Sequence, residues 1–435
     1  MKSPQEVSVF WFRRDLRLDD NAGFYHALRS GNQVMPIFIF DEDILSKLED
    51  KADKRVDFIH RTLEELKSQL KELGSDLMVF HGTPIEIYKK LISEYSVKAV
   101  FTNHDYEPYA QERDQQIEAL VNEHGVRFQS FKDQCIFEKG EVLKDDGDPY
   151  TVYTPYSKKW KAKVNEFYLR SYPTGKHFGN LLKFTADYFP SLNDMGFKKT
   201  DVDIPSHEVE LDIIENYHNT RDIPSIHGTS RLSVHLRFGT ISIRKLARMA
   251  QETNGKFLNE LIWRDFYMMI LWHFPHVVGG AFRPKYDVIE WEKNESHFDA
   301  WCSGQTGYPI VDAGMRELNE TGWMHNRVRM VVASFLTKHL LLDWRWGEAY
   351  FAKKLLDFEL SSNNGGWQWA AGSGCDAAPY FRVFNPELQT KKFDPDLKYI
   401  QKWVPEFQEL TYPKPIVEHK FARERALDRY KSALK

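Results

Sequence analysis

Hydrophobic and polar positions alternate along the first 135 residues in a pattern that predicts strands and helices in turn. One amphipathic stretch places apolar residues from Val56 to Leu73 at steps of three and four, which predicts a helix that stops at Gly74. Strands that alternate with helices form parallel, doubly wound sheets. Short apolar runs predict five such strands, at residues 7–12, 34–40, 76–80, 99–103 and 126–131.

The pattern changes after this α/β half. Residues 141–209 are rich in Pro, Gly, Asp and Lys, which predicts a long connector with little regular structure. Within it, YSKKWKAK (156–163) interleaves lysines with aromatic residues, and a solvated helix face is the favoured interpretation. Later patterns are nearly all helical, as at 257–274 and 329–344. We therefore expect an α/β domain over 1–135, a linker over 136–210 and an all-α domain over 211–435.

Composition excludes several classes of protein. The chain is 42% hydrophobic and 28% charged, and no apolar run reaches the roughly 18 residues of a membrane helix. Three cysteines, far apart, favour neither a disulfide framework nor a metal cluster. With no signal-peptide pattern at the start, we expect a cytoplasmic protein. Because the formal net charge is −4, any contact with nucleic acid must come from a local basic patch.

The usual phosphate-binding loops are missing from the sequence. No GxGxxG follows the first predicted strand, and no GxxxxGK[ST] occurs anywhere. The strand runs instead into RRDLRLDDN (13–21). A different candidate is GTSRLS (228–233), where backbone N–H groups, three hydroxyls and Arg231 precede a predicted helix and could hold a pyrophosphate, although such hydroxyls are usually only caps.

Two further segments place charges on predicted helices. In NELIWRDFY (259–267), helical spacing puts Glu260, Trp263, Arg264 and Tyr267 on one face. On spacing alone, a surface Glu260–Arg264 pair is preferred over a ligand site. MHNRVRM (324–330) places arginines at a helix start, where they oppose the helix dipole. This favours either an anionic group nearby or a cap by Asn326 with exposed arginines.

The stretch LSSNNGGWQWAAGSG (360–374) carries two tryptophans behind an Asn-Asn-Gly-Gly run. If a helix begins near Asn363, then Asn363 and Trp367 share a face. Trp369 would then point roughly 200° away from Trp367. The spacing predicts that one indole meets an internal partner while the other lines a cavity.

Taken together, six segments resemble the photolyase/cryptochrome family, and most closely its class I cyclobutane-pyrimidine-dimer photolyases. The resemblance implies an N-terminal α/β domain and a helical domain that holds FAD in a U shape. It also implies that light-excited, reduced anionic FAD splits a pyrimidine dimer in DNA, a carbon–carbon lyase reaction. In chain order the segments, from Trp11 to Pro386, are WFRRDLRLDDN, GTSRLS, NELIWRDFY, TGYPIVDAGMRELNETGWMHNRVRM, LLDWRWGE and NNGGWQWAAGSGCDAAPYFRVFNP.

The resemblance carries roles to individual residues. Asn363 would lie at flavin N5, where a neutral amide serves either protonation state. Phe257 and Glu359 lie near the implied cofactor but replace the Trp and Asp that are frequent in relatives. The implied FAD contacts are Tyr217, Thr229, Ser230, Arg231, Leu232, Ser233, Arg329, Asp357 and Asn363.

Further roles concern electrons and DNA. Trp367, Trp344 and Trp291 match the family's chain of three tryptophans, which can carry electrons to a photoexcited flavin. Trp263 and Trp369 would stack on flipped-out bases, and Glu260 and Asn326 would hydrogen-bond them, a mechanism already known for photolyases. The remaining implied DNA contacts are Met330 at the dimer and Arg221, Arg327, Gln389 and Lys392 at the backbone.

Some alternatives stay open at this stage. Glu107 matches an antenna contact of folate-binding relatives, which leaves 5,10-methenyltetrahydrofolate, a deazaflavin, a second flavin or no antenna. The rival functions are a cryptochrome photoreceptor, a (6-4) photolyase and a non-photochemical flavoprotein. Against them stand the complete dimer-contacting set and the absence of a long tail after PIVEHK (415–420). We expect a monomer that acts on UV-damaged DNA.

Overall fold

The structure is a computed structural model, and it describes residues 6–435. In this described part, no helix combines the length and the apolar character needed to cross a membrane. The predicted linker over 136–210 is divided between two compact units, and the predicted domain boundaries stay a prediction. The first unit contains residues 6–138, Lys163–His207 and Leu232–Met249, and the second contains Lys139–Ala162, Glu208–Arg231 and Ala250–Lys435.

The first unit is built on a five-stranded parallel sheet, as the apolar runs between helices predict, and the structure gives its strand order as β3-β2-β1-β4-β5. Val9 in the central strand lies opposite Met35 on one side and Val100 on the other. The elements up to residue 131 are β1 (Glu6–Phe12), α1 (Ala22–Leu28), β2 (Gln33–Asp41), α2 (Glu42–Leu45), α3 (Lys54–Glu72), β3 (Met78–Gly82), α4 (Pro84–Glu94), β4 (Ser96–Asn103), α5 (Pro108–Glu123) and β5 (Arg127–Phe131).

The segment RRDLRLDDN, which follows β1, serves the architecture of this unit. Asn21 caps α1 by accepting the N–H of Phe24 at 3.1 Å. Arg244 donates to Asp20 at 2.9 Å and to Asp133 at 2.8 Å, and all three side chains are buried. Buried charges persist in proteins when they are paired and hydrogen-bonded, and these are. The motif therefore connects the end of the first strand to the helix that contains Arg244, α10 (Ile243–Thr253).

The second unit is helical, and its core is an apolar cluster that includes Trp301, Trp344 and Trp367.

The elements after residue 131 belong to both units. Short 3-10 helices span Thr174–Asn180, Pro275–Val278 and Pro284–Tyr286. The α-helices after residue 131 are α6 (Tyr153–Lys163), α7 (Glu166–Leu169), α8 (Leu211–Thr220), α9 (Ser233–Phe238), α10 (Ile243–Thr253), α11 (Gly255–His273), α12 (Glu295–Ser303), α13 (Pro309–Thr321), α14 (Asn326–Ser334), α15 (Trp344–Lys354), α16 (Leu360–Ala371), α17 (Pro386–Phe393), α18 (Lys398–Trp403) and α19 (His419–Ala433).

The structure corrects two sequence expectations about helices. The connector over 141–209 contains α6, because Tyr156 and Trp160 are spaced to bury one helix face while the lysines of YSKKWKAK stay in solvent. The helix predicted over 329–344 is interrupted. It becomes a π-helix over Phe335–His339 and ends before Leu341, whose positive φ of 54° cannot continue a helix.

Candidate functional site

Helix α11 presents a half-open polar and aromatic face. Glu260, Trp263 and Tyr267 are half-buried on it, at helical spacing. The expected surface pair Glu260–Arg264 is wrong, because Arg264 is buried and donates to Glu359 at 3.2 Å. Glu260 instead accepts from Arg221, at the end of α8, at 2.5 Å. Tertiary packing thus selects a distant arginine over the one that lies four residues away.

The environment of Glu260 makes its carboxyl a weaker acid. Burial raises the pKa of this carboxyl, and the nearby Arg221 guanidinium opposes but does not cancel the shift. Arg221 contacts one of the two carboxyl oxygens, so the second oxygen can accept a hydrogen bond from a bound group.

Helix α16 packs against α15 on one side and α11 on another. It begins at Leu360 rather than near Asn363, with Glu359 at the N-cap position. A Cβ at Gly347 would lie 2.1 Å from the Trp367 ring, so α15 can approach Trp367 only because residue 347 is glycine. Burial supports the prediction that only one of the two indoles points into the core: Trp367 is 2% exposed, whereas Trp369 is half-buried.

The other contact of α16 is with α11. A Cβ at Gly365 would lie 2.3 Å from the Tyr267 ring, so this side of α16 meets α11 closely. Trp369 lies four residues after Gly365 and Trp263 four residues before Tyr267. Because residues four apart share a helix face, both indoles are on the facing sides of the two helices.

The side-chain amide of Asn363 uses only one of its two polar atoms in hydrogen bonds with the described residues. Its Nδ2 donates to the Glu348 backbone oxygen at 3.1 Å. Its Oδ1 has no donor among residues 6–435, and it can therefore accept from a bound group. The neighbouring Asn364 donates to the Glu348 carboxylate at 2.9 Å, and Gln368 braces Asn364 at 3.1 Å.

Glutamine at position 348 is expected to change how stability depends on pH. Burial raises the pKa of Glu348 to about 7. Below the unfolded-state value near 4.3 both states are protonated, so the wild-type protein loses stability as pH rises from there to about 7. Glutamine does not titrate, so the variant should gain about 3 kcal/mol relative to wild type between pH 4.5 and pH 8.

Urea unfolding of both holoproteins across this pH range would measure the effect. A profile of the Glu348 variant that runs parallel to that of the wild type would contradict the prediction.

Two arginines at the start of α14 each pair with a carboxylate. This agrees with the prediction that anionic groups lie near them. Arg327 donates to Asp222 at 2.7 Å, and Arg329 donates to Asp357 at 2.9 Å. The expected cap by Asn326 is wrong: His325 is the N-cap, and its Nδ1 accepts the N–H of Arg327. Asn326 is consequently left exposed, with its side chain available to a ligand.

The segment GTSRLS has no helical cap of its own, because α9 begins only at Ser233 and Leu232 supplies no side-chain bond. The hydroxyls of Thr229 and Ser230 have no hydrogen-bond partner within residues 6–435. Arg231 has a positive φ of 51°, and its guanidinium lies 4.5 Å from the centroid of the Trp323 ring. The chain passes from the second unit to the first after Arg231, and the phosphate contacts of Leu232 and Ser233 stay a prediction.

The three tryptophans of the predicted chain differ in exposure. Trp344 is buried three residues before Gly347, the residue in contact with Trp367. Glu292 donates its N–H to Leu341 at 2.8 Å, which places Trp291 beside the turn that leads into Trp344. Trp291 itself is half-buried. The series therefore runs from the core towards solvent.

Other predicted site residues border this region. Phe257, at the start of α11, meets Tyr217 edge-on with ring centroids 5.2 Å apart. On α17, Lys392 is exposed and Gln389 half-buried. The Arg327 guanidinium lies 4.2 Å from the centroid of the neighbouring Phe393 ring. Met330, one turn after Arg327, is half-buried, with its sulfur 3.7 Å from an Arg327 nitrogen.

Glu107 lies in the first unit and is an ion-pair partner. It accepts from Arg14 at 3.1 Å and from Arg237 at 2.9 Å. An antenna contact at Glu107 stays a prediction.

Sequence reasoning missed several partners at the site. Asp222, Glu348, Tyr153 and Asp376 all contact predicted site residues or their neighbours. Each lies far from its partner in sequence, so no periodicity could have paired them. The one available signal was the aromatic residues interleaved in YSKKWKAK, but the favoured interpretation was a solvated helix face, which gave no buried partner.

Comparison with known proteins identifies the family. The profile described as "DNA photolyase" matches residues 8–174, and the one described as "FAD binding domain of DNA photolyase" matches residues 257–411. A deoxyribodipyrimidine photo-lyase of Synechococcus is 38% identical, with 94% of this chain and 93% of the relative aligned. The chain belongs to the DNA photolyase family. The photo-lyase of Escherichia coli is 36% identical, with 98% of this chain and 99% of that protein covered.

Solved photolyases share the fold, which confirms the predicted α/β plus all-α class. A class III photolyase from Agrobacterium tumefaciens superposes with a TM-score of 0.86 at 34% identity, covering 100% of this chain and 98% of that one. An archaeal photolyase from Sulfolobus tokodaii, solved with two FAD molecules, gives 0.82 at 36% identity, covering 98% and 100%. A Synechocystis cryptochrome gives 0.84 at 25% identity, covering 98% and 100%. The class within the family stays a prediction.

Proposed function

We propose that this chain is a deoxyribodipyrimidine photo-lyase that repairs cyclobutane pyrimidine dimers in UV-damaged DNA. The observation that supports the proposal is the close approach of helices α11 and α16 at Tyr267 and Gly365, with Trp263, Glu260 and Trp369 half-buried on these two helices. Two flat indoles can stack on two extruded bases, and a carboxyl can bond their polar edges. Such a site fits a pair of pyrimidines better than a single small ligand.

The helical unit contains the family's FAD-binding domain, and the polar groups there fit the cofactor. The Asn363 amide offers its unpartnered oxygen, which would accept from the flavin ring. Thr229 and Ser230 offer unpartnered hydroxyls, and Arg231 stacks on an indole, which leaves its N–H groups for phosphate. Arg329, held by Asp357, would line the same cofactor.

Each residue then has a physical task in repair. Light-excited, reduced FAD supplies an electron to the dimer and takes it back, so no net redox change occurs. Glu260 would hold the dimer by hydrogen bonds that strengthen when the dimer carries the extra electron. Trp263 and Trp369 would exclude water and fix the dimer plane. Asn326 and Met330 would complete the pocket wall.

A basic rim on an acidic protein would hold the DNA backbone. Arg221, Arg327 and Lys392 are partly or fully exposed around the proposed pocket, and Gln389 lies on the same helix as Lys392. The net charge of −4 means that attraction is confined to this rim. Affinity should fall as salt rises, because each phosphate contact releases a counterion.

The tryptophan series would keep the flavin reduced. Indole is easily oxidised, and Trp367, Trp344 and Trp291 lead from the core to a half-exposed end. An electron deficit would therefore move outward to Trp291, where the indole would give its proton to solvent and an external electron donor, such as a thiol, would fill the deficit. A flavoprotein without photochemistry would not need this series.

The rival functions fit less well. A (6-4) photolyase relies on histidines in its lesion pocket, whereas His325 here is 1% exposed and serves as a helix cap. Burial also lowers the pKa of His325 to about 4, so it is neutral and cannot act as an acid at neutral pH. The cryptochrome relative is 25% identical, below the 34–38% of the curated photo-lyases.

The deciding experiment is illumination of the purified, reduced holoprotein with DNA that contains thymine dimers, as single strands and as duplex. Chromatography would measure dimer loss against a dark control, and dimers left intact would refute the proposal. An absorption spectrum of the same sample would separate a folate, a deazaflavin, a second flavin and no antenna. We also propose a cytoplasmic monomer; sedimentation would test the oligomeric state.

Asparagine in place of Asp222 is expected to tighten the binding of undamaged DNA. Asp222 lies 2.7 Å from Arg327 and 3.9 Å from Arg221, where it competes with a phosphate for both guanidinium groups. Because exposed ion pairs are worth about 0.2–1 kcal/mol, the variant should bind undamaged DNA about two- to fivefold more tightly at low salt. Titration at several salt concentrations would measure this.

The matched control is Asp212→Asn on the exposed face of α8, which changes the net charge equally. The prediction is wrong if both variants bind undamaged DNA alike.

A further inference from the structure

Tyr153, at the first position of α6, stacks on Trp263. The two ring planes are 3° apart, with centroids separated by 3.7 Å. This is a closer and more parallel contact than those of Phe266 and Tyr267, which approach the same indole at 5.6 Å and 5.4 Å with tilted or perpendicular planes. One face of the indole is thus covered by a flat ring, while Trp263 as a whole stays half-buried and partly accessible.

Two hydrogen bonds hold Tyr153 in this place. Its hydroxyl donates to the Asn259 backbone oxygen on α11 at 2.9 Å. Its N–H donates to the Asp376 carboxylate at 3.1 Å, which satisfies one of the free N–H groups at the start of α6. Asp376 has a positive φ of 46°, an unusual conformation for a residue other than glycine, in the loop that follows α16.

The rest of α6 fixes the direction of approach. Trp160 donates its indole N–H to Asp265 on α11 at 2.9 Å, and Tyr156 meets Phe266 with centroids 5.2 Å apart. Three aromatic residues of α6 therefore contact α11 along its length. Tyr153 therefore cannot shift away from Trp263 unless α6 moves with it.

The geometry points to Tyr153 as a positioning residue for the lesion: its ring fixes the plane of Trp263 on which an extruded pyrimidine stacks. This inference rests on the proposed function. If the Trp263 indole could rotate freely, binding would cost conformational entropy of its side chain. The stacked Tyr153 ring already holds the indole in place, so this cost does not fall on binding. The hydroxyl matters less than the flat ring, since its partner is a backbone oxygen.

Dark binding of the holoprotein to an oligonucleotide with one thymine dimer tests this inference. Tyr153→Phe should bind as wild type does, whereas Tyr153→Leu, which fills the space without a flat face, should bind the dimer about five- to tenfold more weakly. Affinity for the undamaged oligonucleotide should not change. Dimers split per absorbed photon at saturation should stay within about twofold of wild type, because Trp263 acts through binding.

Tyr156→Leu is the matched control, on the same helix against Phe266 rather than Trp263. It should lower thermal stability without changing dimer affinity. The inference is overturned if Tyr153→Leu binds the dimer as tightly as Tyr153→Phe, or if Tyr156→Leu loses as much affinity. A wild-type protein that fails to prefer dimer-containing DNA would instead refute the proposed function, and this inference with it.

Discussion

Phenylalanine in place of Trp344 is expected to stop blue light from bleaching the oxidised flavin, while chemically reduced enzyme still repairs DNA at the wild-type yield. Trp344 is buried between the segment that carries Trp291 and the glycine that contacts Trp367. A phenyl ring is harder to oxidise than indole by far more than the roughly 1.4 kcal/mol that slows a step tenfold. The initial bleaching rate should therefore fall by more than about tenfold.

Trp346→Phe provides the matched control. Trp346 lies two residues further along α15, is half-buried and meets Phe298 edge-on at 5.2 Å. Two residues turn a helix by about 200°, so Trp346 points away from the Trp344 side. Its replacement should leave bleaching unchanged. Equal bleaching in the Trp344 variant and wild type would remove Trp344 from the relay.

Alanine in place of Glu260 is expected to slow dimer splitting while FAD stays bound. Hydrogen bonds to charged groups are worth about 1.5–3 kcal/mol, which corresponds to about a ten- to hundredfold slower splitting step if the bonds form mainly to the charged dimer. DNA binding should not weaken, because Arg221 loses its partner at 2.5 Å and becomes available to phosphate. Dimers split per absorbed photon, measured at saturating enzyme, would show the loss.

Glu260→Gln separates the hydrogen bond from the carboxyl group. The amide keeps a donor and an acceptor of similar shape, so this variant should retain more activity than the alanine variant. Flavin absorbance of both would show that the cofactor is still bound. An unchanged yield in Glu260→Ala would refute the role of Glu260.

Part of the site could be predicted because it is local. Helical spacing predicted one face with Glu260, Trp263, Arg264 and Tyr267, and it separated Trp367 from Trp369. The structure confirms the separation and leaves three of the four face residues half-buried, whereas Arg264 is buried. The family could be predicted because six sequence segments resemble those of photolyases and cryptochromes. Charge pairing was less predictable, because i,i+4 spacing favoured Glu260–Arg264 and the fold chose Glu260–Arg221.

The sequence by itself determined the alternation of strands and helices, the apolar faces and the family to which the chain belongs. Only the tertiary structure decided which partner each polar side chain takes: Asp222 for Arg327, the Glu348 oxygen for Asn363 and Tyr153 for Trp263. The physical reason is that periodicity reports which face of an element is buried, whereas a partner is set by the packing of elements that are distant along the chain.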